Sequence, residues 1–139
     1  VALKAKAIGA KVWLNAAPAR KISNDLVEAI DLLIVNKVEA EFYARLGFAV
    51  NLLKTLGADG VSYKSVQYSG FPVDVVSTHG AGDMFVGALA SQVVYGINMA
   101  GAIKFAQAAA ALHVSSQLDK RKKLNNQAVT TFLAAQDKR

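Results

Sequence analysis

The run Ser77-Thr78-His79-Gly80-Ala81-Gly82-Asp83 holds the residues of this 139-residue chain whose types and spacing can do chemistry. Gly80 and Gly82 flank Ala81 where the apolar pattern passes from strand-like to helical. Without side chains the backbone can turn sharply and bring its amides close to an anion. The helix expected from Met84 onward would add its free amides and positive dipole end. Glycines alone are weak evidence, since many strand-to-helix turns need them for steric reasons. Asp83 is the informative residue. A carboxylate at a helix start can simply cap it. Beside bound phosphate, however, it would repel the ligand unless it handled a proton or a metal. Such a carboxylate next to an anion hole suits phosphoryl transfer to a hydroxyl, accepting the hydroxyl proton while loop amides stabilise the moving group. A dinucleotide loop would want a third glycine where Phe85 stands, and the Lys-Ser/Thr pair of a P-loop is absent. His79 reads as a loop spacer, because three residues this close together imply no Ser/His/Asp geometry.

The elements that must position this loop follow from periodicity and turn residues. Lys11 to Asn15 reads as a short strand, with Pro18 turning the chain after it. Ser23 is placed to cap a helix through Ile30. Leu32-Leu33-Ile34-Val35 is a continuous apolar run, as in a strand buried on both faces, and Val38 to Leu46 looks helical. Val50 to Thr55 predicts a further strand ending at Leu56-Gly57-Ala58-Asp59-Gly60. Val61 to Tyr63 and Val66 to Tyr68 suit short antiparallel strands, and Val73 to Val76 leads into the glycine loop as a strand. Phe85, Ala88, Leu89 and Val93 share a helical stripe closed by Gly96. Asn98 caps a second helix to about Ser115, and a last one spans about Asn126 to Gln136. The fold class is therefore α/β, a mostly parallel sheet flanked by helices. In such sheets ligands gather beyond the carboxyl ends of the strands. Asn36 to Glu39, Thr55 to Gly60 and Ser77 to Asp83 all sit at such ends.

Composition agrees with a single domain over 1–139. Hydrophobic residues make up 53% and charged ones 19%, enough apolar surface for a core. There is no cysteine, so disulfides and thiolate metal sites are excluded, and a cytoplasmic location is compatible. No run of roughly 18 apolar residues predicts a membrane span. Val1 to Ile8, interrupted by Lys4 and Lys6, reads as the end of an amphipathic helix that something preceded. The net charge of +6 is scattered except at Lys120-Arg121-Lys122-Lys123, a run better suited to a solvated loop than to a binding patch. No aromatic residue interleaves it, which disfavours a single-strand nucleic-acid platform.

Thr78-His79-Gly80-Ala81-Gly82-Asp83-Met84-Phe85-Val86-Gly87 resembles the Asp-Thr-x-Gly-Ala-Gly-Asp-x-Phe-x-Gly signature of ribokinase-type (pfkB) carbohydrate kinases. Leu14-Asn15-Ala16-Ala17-Pro18-Ala19-Arg20 is similar to that family's Asn-Pro-Ala-Pro-Ala-Arg stretch, Asp31 to Glu41 to its Asn-x-x-Glu segment, and Thr55 to Gly60 to its Thr-Leu-Gly-x-x-Gly turn. Phe105 to Ala111 looks like its alanine-rich helix. The likeness runs in order from about residue 9 to 116. It implies a carbohydrate kinase using ATP and Mg²⁺ on a sugar, with ribose or a related pentose slightly favoured, acting as a homodimer and with neither nucleic acid nor membrane as partner. It implies Asp83 as the base and Gly80, Ala81 and Gly82 as the anion hole. It also implies that Asn36 contacts ATP phosphates, that Glu39 organises Mg²⁺ through water, that Thr55, Gly57, Asp59 and Gly60 line the nucleotide site, and that Gln107 lies near the adenosine.

Three departures qualify that resemblance. The family aspartate that helps bind an activating monovalent cation is replaced by Ser77, with His79 two residues on in the same loop. The second half of that cation loop, about 113–122, reads Ser116-Gln117-Leu118-Asp119-Lys120 without glycine, so K⁺ is implied only through an altered loop. The stretches between Tyr43 and Val50 and around Lys64 to Gly70 are shorter than the family's, through deletion or through omitted residues. The amino-terminal half that supplies the sugar pocket and a β-sheet lid has no counterpart here. Two competing readings follow: a non-catalytic remnant that binds nucleotide or a partner, and, on charge alone, a nucleic-acid module.

Overall fold

The computed structural model describes residues 1–47 and 51–138. The chain divides into two compact units, residues 1–67 and 68–139.

The first unit opens with α1 (Ala2–Ala7), then β1 (Trp13–Asn15), α2 (Asn24–Ala29), β2 (Leu32–Val35), α3 (Lys37–Arg45), β3 (Leu52–Thr55) and β4 (Val61–Tyr63). The expected strand start at Val50 lies outside the described residues. Strand order in the sheet is β1-β2-β3-β4 and then β5 (Val66–Tyr68). Trp13 pairs with Leu32 and Leu33 with Leu52 in parallel register, whereas Leu53 pairs antiparallel with Tyr63. The sheet is therefore mixed, its parallel part carrying the helical crossovers. A turn with positive φ at Lys64 and Ser65 (48° and 65°) joins β4 to β5, the sign that two-residue hairpin turns require.

Each helix start has a local cause. Ser23 Oγ accepts from Leu26 N–H at the start of α2. All four residues of β2 are buried, as the unbroken apolar run predicts. Leu33 and Val35 pack with Ile30, Ala16 and Tyr43 on one face. Tyr43 Oη donates to Arg20 O at 2.9 Å and so pins the stretch after β1, where Ala17–Pro18 is cis.

Asp31 closes the α2–β2 corner. It accepts from Val12 N–H at 2.8 Å and pairs with Lys6, with Lys11 further out. The Lys6 hydrogen bond foremost, then the Val12 amide, hold its carboxyl below the ordinary 3.8. A lowered folded-state pKa gives stability that is present above the unfolded value and is lost as pH falls through the folded one. The chain should lose stability as pH drops below about 4, and Asp31→Asn should flatten that part of the curve in urea unfolding at stepped pH. An unchanged acid limb in the variant would show that Asp31 carries none of it.

The second unit holds α4 (Ala81–Val94), α5 (Met99–Ser115) and α6 (Asn126–Gln136). Here the expected strand at Val73 to Val76 is corrected: residues 69–80 are irregular, and Val75 and Val76 are exposed. The reason is a competing acceptor. Val76 N–H and Ser77 N–H both donate to Val114 O near the end of α5, at 2.8 and 3.1 Å. Helix α4 also begins at Ala81, three residues before the expected Met84. It ends through Gly96 at φ 82°, with Ile97 N–H bonded to Gln92 O and Gly96 N–H to Val93 O, the paired pattern of a glycine-terminated helix. Asn98 and Asn125 cap α5 and α6 through their side-chain oxygens. Phe85, Leu89 and Ile103 are buried, and the alanines of α5 let neighbouring helices approach closely. Phe105, Val129 and Phe132 surround Ala108 and Ala109 in a core closed by the edge-to-face pair Phe71–Phe132.

Candidate active site

Gly80 is the residue before α4 and stands at φ 77°, in the left-handed region. A methyl there would sit 3.0 Å from His113 Nε2, so the position excludes a side chain on two counts. The turn it makes sends Ala81 N–H back to Thr78 O at 3.1 Å and lets Gly80 O accept from Met84 N–H at 2.9 Å. Among the described residues, Gly82 and Asp83 N–H have no such acceptor. These two amides, at the positive end of a 14-residue helix, are free for an anion. Of the three residues expected to form the anion hole, Gly80 shapes the turn, Ala81 closes it and Gly82 offers its amide.

Asp83 lies in the first turn of α4, exposed and without a partner among the described residues. It lines an open groove of about 510 Å³, a size suited to a small molecule. Gly80 and His113 lie at this groove with Asp83, and Met84, Phe105 and Val129 supply apolar wall. The whole lining comes from Gly80, α4, α5 and the start of α6 with its lead-in. Gln107 is not part of it. With its amide turned to satisfy both groups, Gln107 donates to Tyr68 O and Ser69 O at 3.2 Å and ties α5 to the end of β5.

The remaining expected residues fall in the first unit. Asn36 and Glu39 form a reciprocal cap of α3: Asn36 Oδ1 accepts from Glu39 N–H at 2.9 Å, and Glu39 Oε2 accepts from Asn36 N–H at 2.8 Å. Glu39 is only 6% exposed, so one oxygen of a buried carboxylate is committed to backbone. Thr55 Oγ1 donates to Val35 O at 3.3 Å and locks the end of β3 to the end of β2. Gly57–Asp59 form a 3-10 turn closed by Leu56 N–H to Gly60 O, with Gly60 at φ 99°. Asp59 pairs with Lys37 at 3.0 Å across this end of the sheet. Asn36, Glu39, Thr55 and the 57–60 turn are thus brought to one strand end by β2 and β3. Among the described residues no cluster of three or more His, Asp or Glu could hold a metal ion. Mg²⁺ does not need one, since it commonly keeps its waters and takes one or two carboxylates plus substrate phosphates. Glu39 fits that role with its second oxygen.

Sequence reasoning missed His113 and Arg121. His113 Nε2 lies 2.9 Å from His79 O, so this nitrogen carries the hydrogen. Arg121, inside the basic run read as solvated, turns inward and donates to Ser77 O at 2.7 Å and to His79 O at 2.9 Å. Ser77 Oγ accepts from His79 N–H at 3.3 Å. The only signal for these residues was their type, and four adjacent cations do not say which one folds inward.

Residues 2–123 match the model of the pfkB family carbohydrate kinases. The chain is 34% identical over 134 residues to ribokinase of Haemophilus influenzae, covering 81% of this chain and 44% of that protein. Its fold superposes on Arabidopsis thaliana ribokinase complexed with ribose and ATP with a TM-score of 0.82 and 28% identity, over 96% of this chain and 50% of that one. An E. coli ribokinase II candidate in complex with ATP and Mg²⁺ gives 0.69 and 25%, over 79% and 41%. The chain spans about half the length of these relatives or less. Among the described residues, no helix is long and apolar enough to cross a membrane.

Proposed function

This chain belongs to the pfkB family of carbohydrate kinases, and we propose that it carries the phosphoryl-transfer centre of an ATP-dependent sugar kinase acting on ribose or a related pentose. The observation that supports this most directly is the pairing of two unbonded amides, Gly82 and Asp83 N–H, with the unpartnered Asp83 carboxylate at the rim of an apolar groove. The relatives named as ribokinases, one complexed with ribose and ATP, support the choice of substrate.

In this reading the sugar hydroxyl oxygen attacks the γ-phosphorus as the bond from that phosphorus to the ADP oxygen breaks. The hydroxyl proton passes to the Asp83 carboxylate. Charge on the moving phosphoryl group is met by the Gly82 and Asp83 amides, already oriented by Gly80 and therefore needing no reorganisation. By the family resemblance Asn36, Thr55, Gly57, Asp59 and Gly60 would contact the nucleotide and Gln107 would lie near its adenosine. Glu39 would hold Mg²⁺ through water, and the ion would supply charge neutralisation for the phosphates.

A coupled assay of the complete protein, with the amino-terminal half that supplies the sugar pocket, tests the reading with ATP, Mg²⁺ and a sugar panel. Turnover with pentoses is expected. No turnover on any sugar, together with no calorimetric heat for ATP, would remove it. Gly82→Ala gives a finer check. Its methyl meets nothing within 4 Å, so stability should hold or rise by up to about 1 kcal/mol. ATP affinity should fall, because the methyl lies beside the free amides. Equal affinity in the two proteins would place the phosphates elsewhere.

A further inference from the structure

Three backbone carbonyls gather around one side chain in the second unit. Arg121 donates to Ser77 O at 2.7 Å through Nη2, to His79 O at 2.9 Å through Nη1 and to Ser116 O at 3.3 Å through Nε. His113 Nε2 stands 3.3 Å from Nη1, and its own hydrogen goes to His79 O. Among the described residues no carboxylate pairs with Arg121, so the charge is balanced by carbonyl dipoles alone. Such convergence of carbonyl oxygens is the coordination shell of a bare monovalent cation. Here a planar, permanently charged fork fills it.

The residues do not fit a K⁺ ion in addition. The oxygens that would replace its hydration shell already accept from the guanidinium, and Ser77 brings a neutral hydroxyl whose oxygen accepts from His79 N–H. A second positive charge among the same carbonyls would be repelled with no carboxylate to offset it.

We propose that Arg121 is a tethered cation that holds the 77–80 loop in place of a monovalent ion, so that the anion site at the start of α4 is independent of K⁺. The link to function rests on the nucleotide reading above; the staple itself does not. Arg121 is 44 residues from Ser77 in sequence, and it fixes two of the three carbonyls that precede the left-handed Gly80, those of Ser77 and His79. Arg121 is thus a positioning residue.

The experiment compares the chain with Arg121→Ala, Arg121→Lys and the double variant Ser77→Asp/Arg121→Ala, in KCl and in choline chloride at equal ionic strength. ATP affinity is read by calorimetry, and stability by melting. The unaltered chain should show the same ATP affinity and melting temperature in both salts. Arg121→Ala should bind ATP roughly 10- to 100-fold more weakly, the loss expected for hydrogen bonds to a charged group. Millimolar guanidinium should restore both readouts, which a merely structural defect would not allow. The double variant should bind ATP more tightly in KCl than in choline chloride. Arg121→Lys keeps the charge and should lose less than the alanine variant, which keeps the inference testable if that variant fails to fold. Tighter ATP binding or higher melting in KCl for the unaltered chain overturns the proposal, as does an alanine variant indistinguishable from it. If the unaltered chain binds no ATP at all, the nucleotide reading fails. The staple is then judged on melting alone, by K⁺ insensitivity and guanidinium rescue.

Discussion

Asp83→Asn is expected to lower turnover by about 10²–10⁴-fold while ATP binds as tightly as before or more tightly. The size of the effect follows from what the substitution removes. Asparagine has the same shape and keeps its place in the first turn of α4, but it cannot take a proton. Asp83 makes no hydrogen bond or ion pair among the described residues, so no structural contact is lost with it. The helix start loses one favourable charge, a cost of about 0.3–1 kcal/mol that melting would register separately. Phosphate binding at the Gly82 and Asp83 amides gains, because a negative charge has been taken away from an anion site. A fall in kcat with an unchanged or lower dissociation constant for ATP is the signature of a base. Turnover like that of the unaltered protein would dismiss Asp83 from the chemistry, and a parallel loss of ATP binding would point to a positioning role instead.

Gly80→Ala should destabilise the chain by about 2–3 kcal/mol. Left-handed backbone costs an alanine about 1–2 kcal/mol relative to glycine. The rest comes from His113, whose Nε2 would lie 3.0 Å from the new methyl. That ring cannot yield cheaply, because its nitrogen is bonded to His79 O beside the Arg121 guanidinium. Moving it sacrifices a hydrogen bond worth about 1 kcal/mol. Gly82, two residues on, has helical backbone and open space around it, so the same substitution there has the opposite sign. Urea unfolding of the two variants side by side checks both expectations. A Gly80→Ala protein as stable as its parent would mean that this loop relaxes freely and that the anion site is not held in advance.

Much of this was legible in the sequence because its causes are local. A side-chain oxygen at Ser23 or Asn98 reaches an amide three residues ahead, and that spacing is written in the chain. The unbroken apolar run of β2 and the glycine at the end of α4 are of the same kind, determined within one turn or one strand. The glycine loop, its aspartate and the family they indicate could therefore be read directly, and the family match bears out that identification. The roles of the individual residues were not so accessible. Val73 to Val76 has strand composition, yet its last amide, with that of Ser77, bonds to Val114, a partner 38 residues away for Val76. Gln107, expected near the adenosine from the resemblance alone, also bonds to the backbone at residues 68 and 69, partners its sequence spacing does not announce.

Arg121 shows the same division most plainly. Its three neighbours in the run carry the same charge, and only the approach of the end of α5 to the 77–80 loop selects it for the carbonyls of Ser77 and His79. Sequence alone picked out the glycine turn before α4 and the carboxylate in its first turn, because helix starts and left-handed glycines are short-range features. Tertiary structure decided which side chain bonds to the loop before α4. The choice among equivalent cations depends on which one chain closure brings within hydrogen-bonding distance, and sequence spacing does not encode that distance.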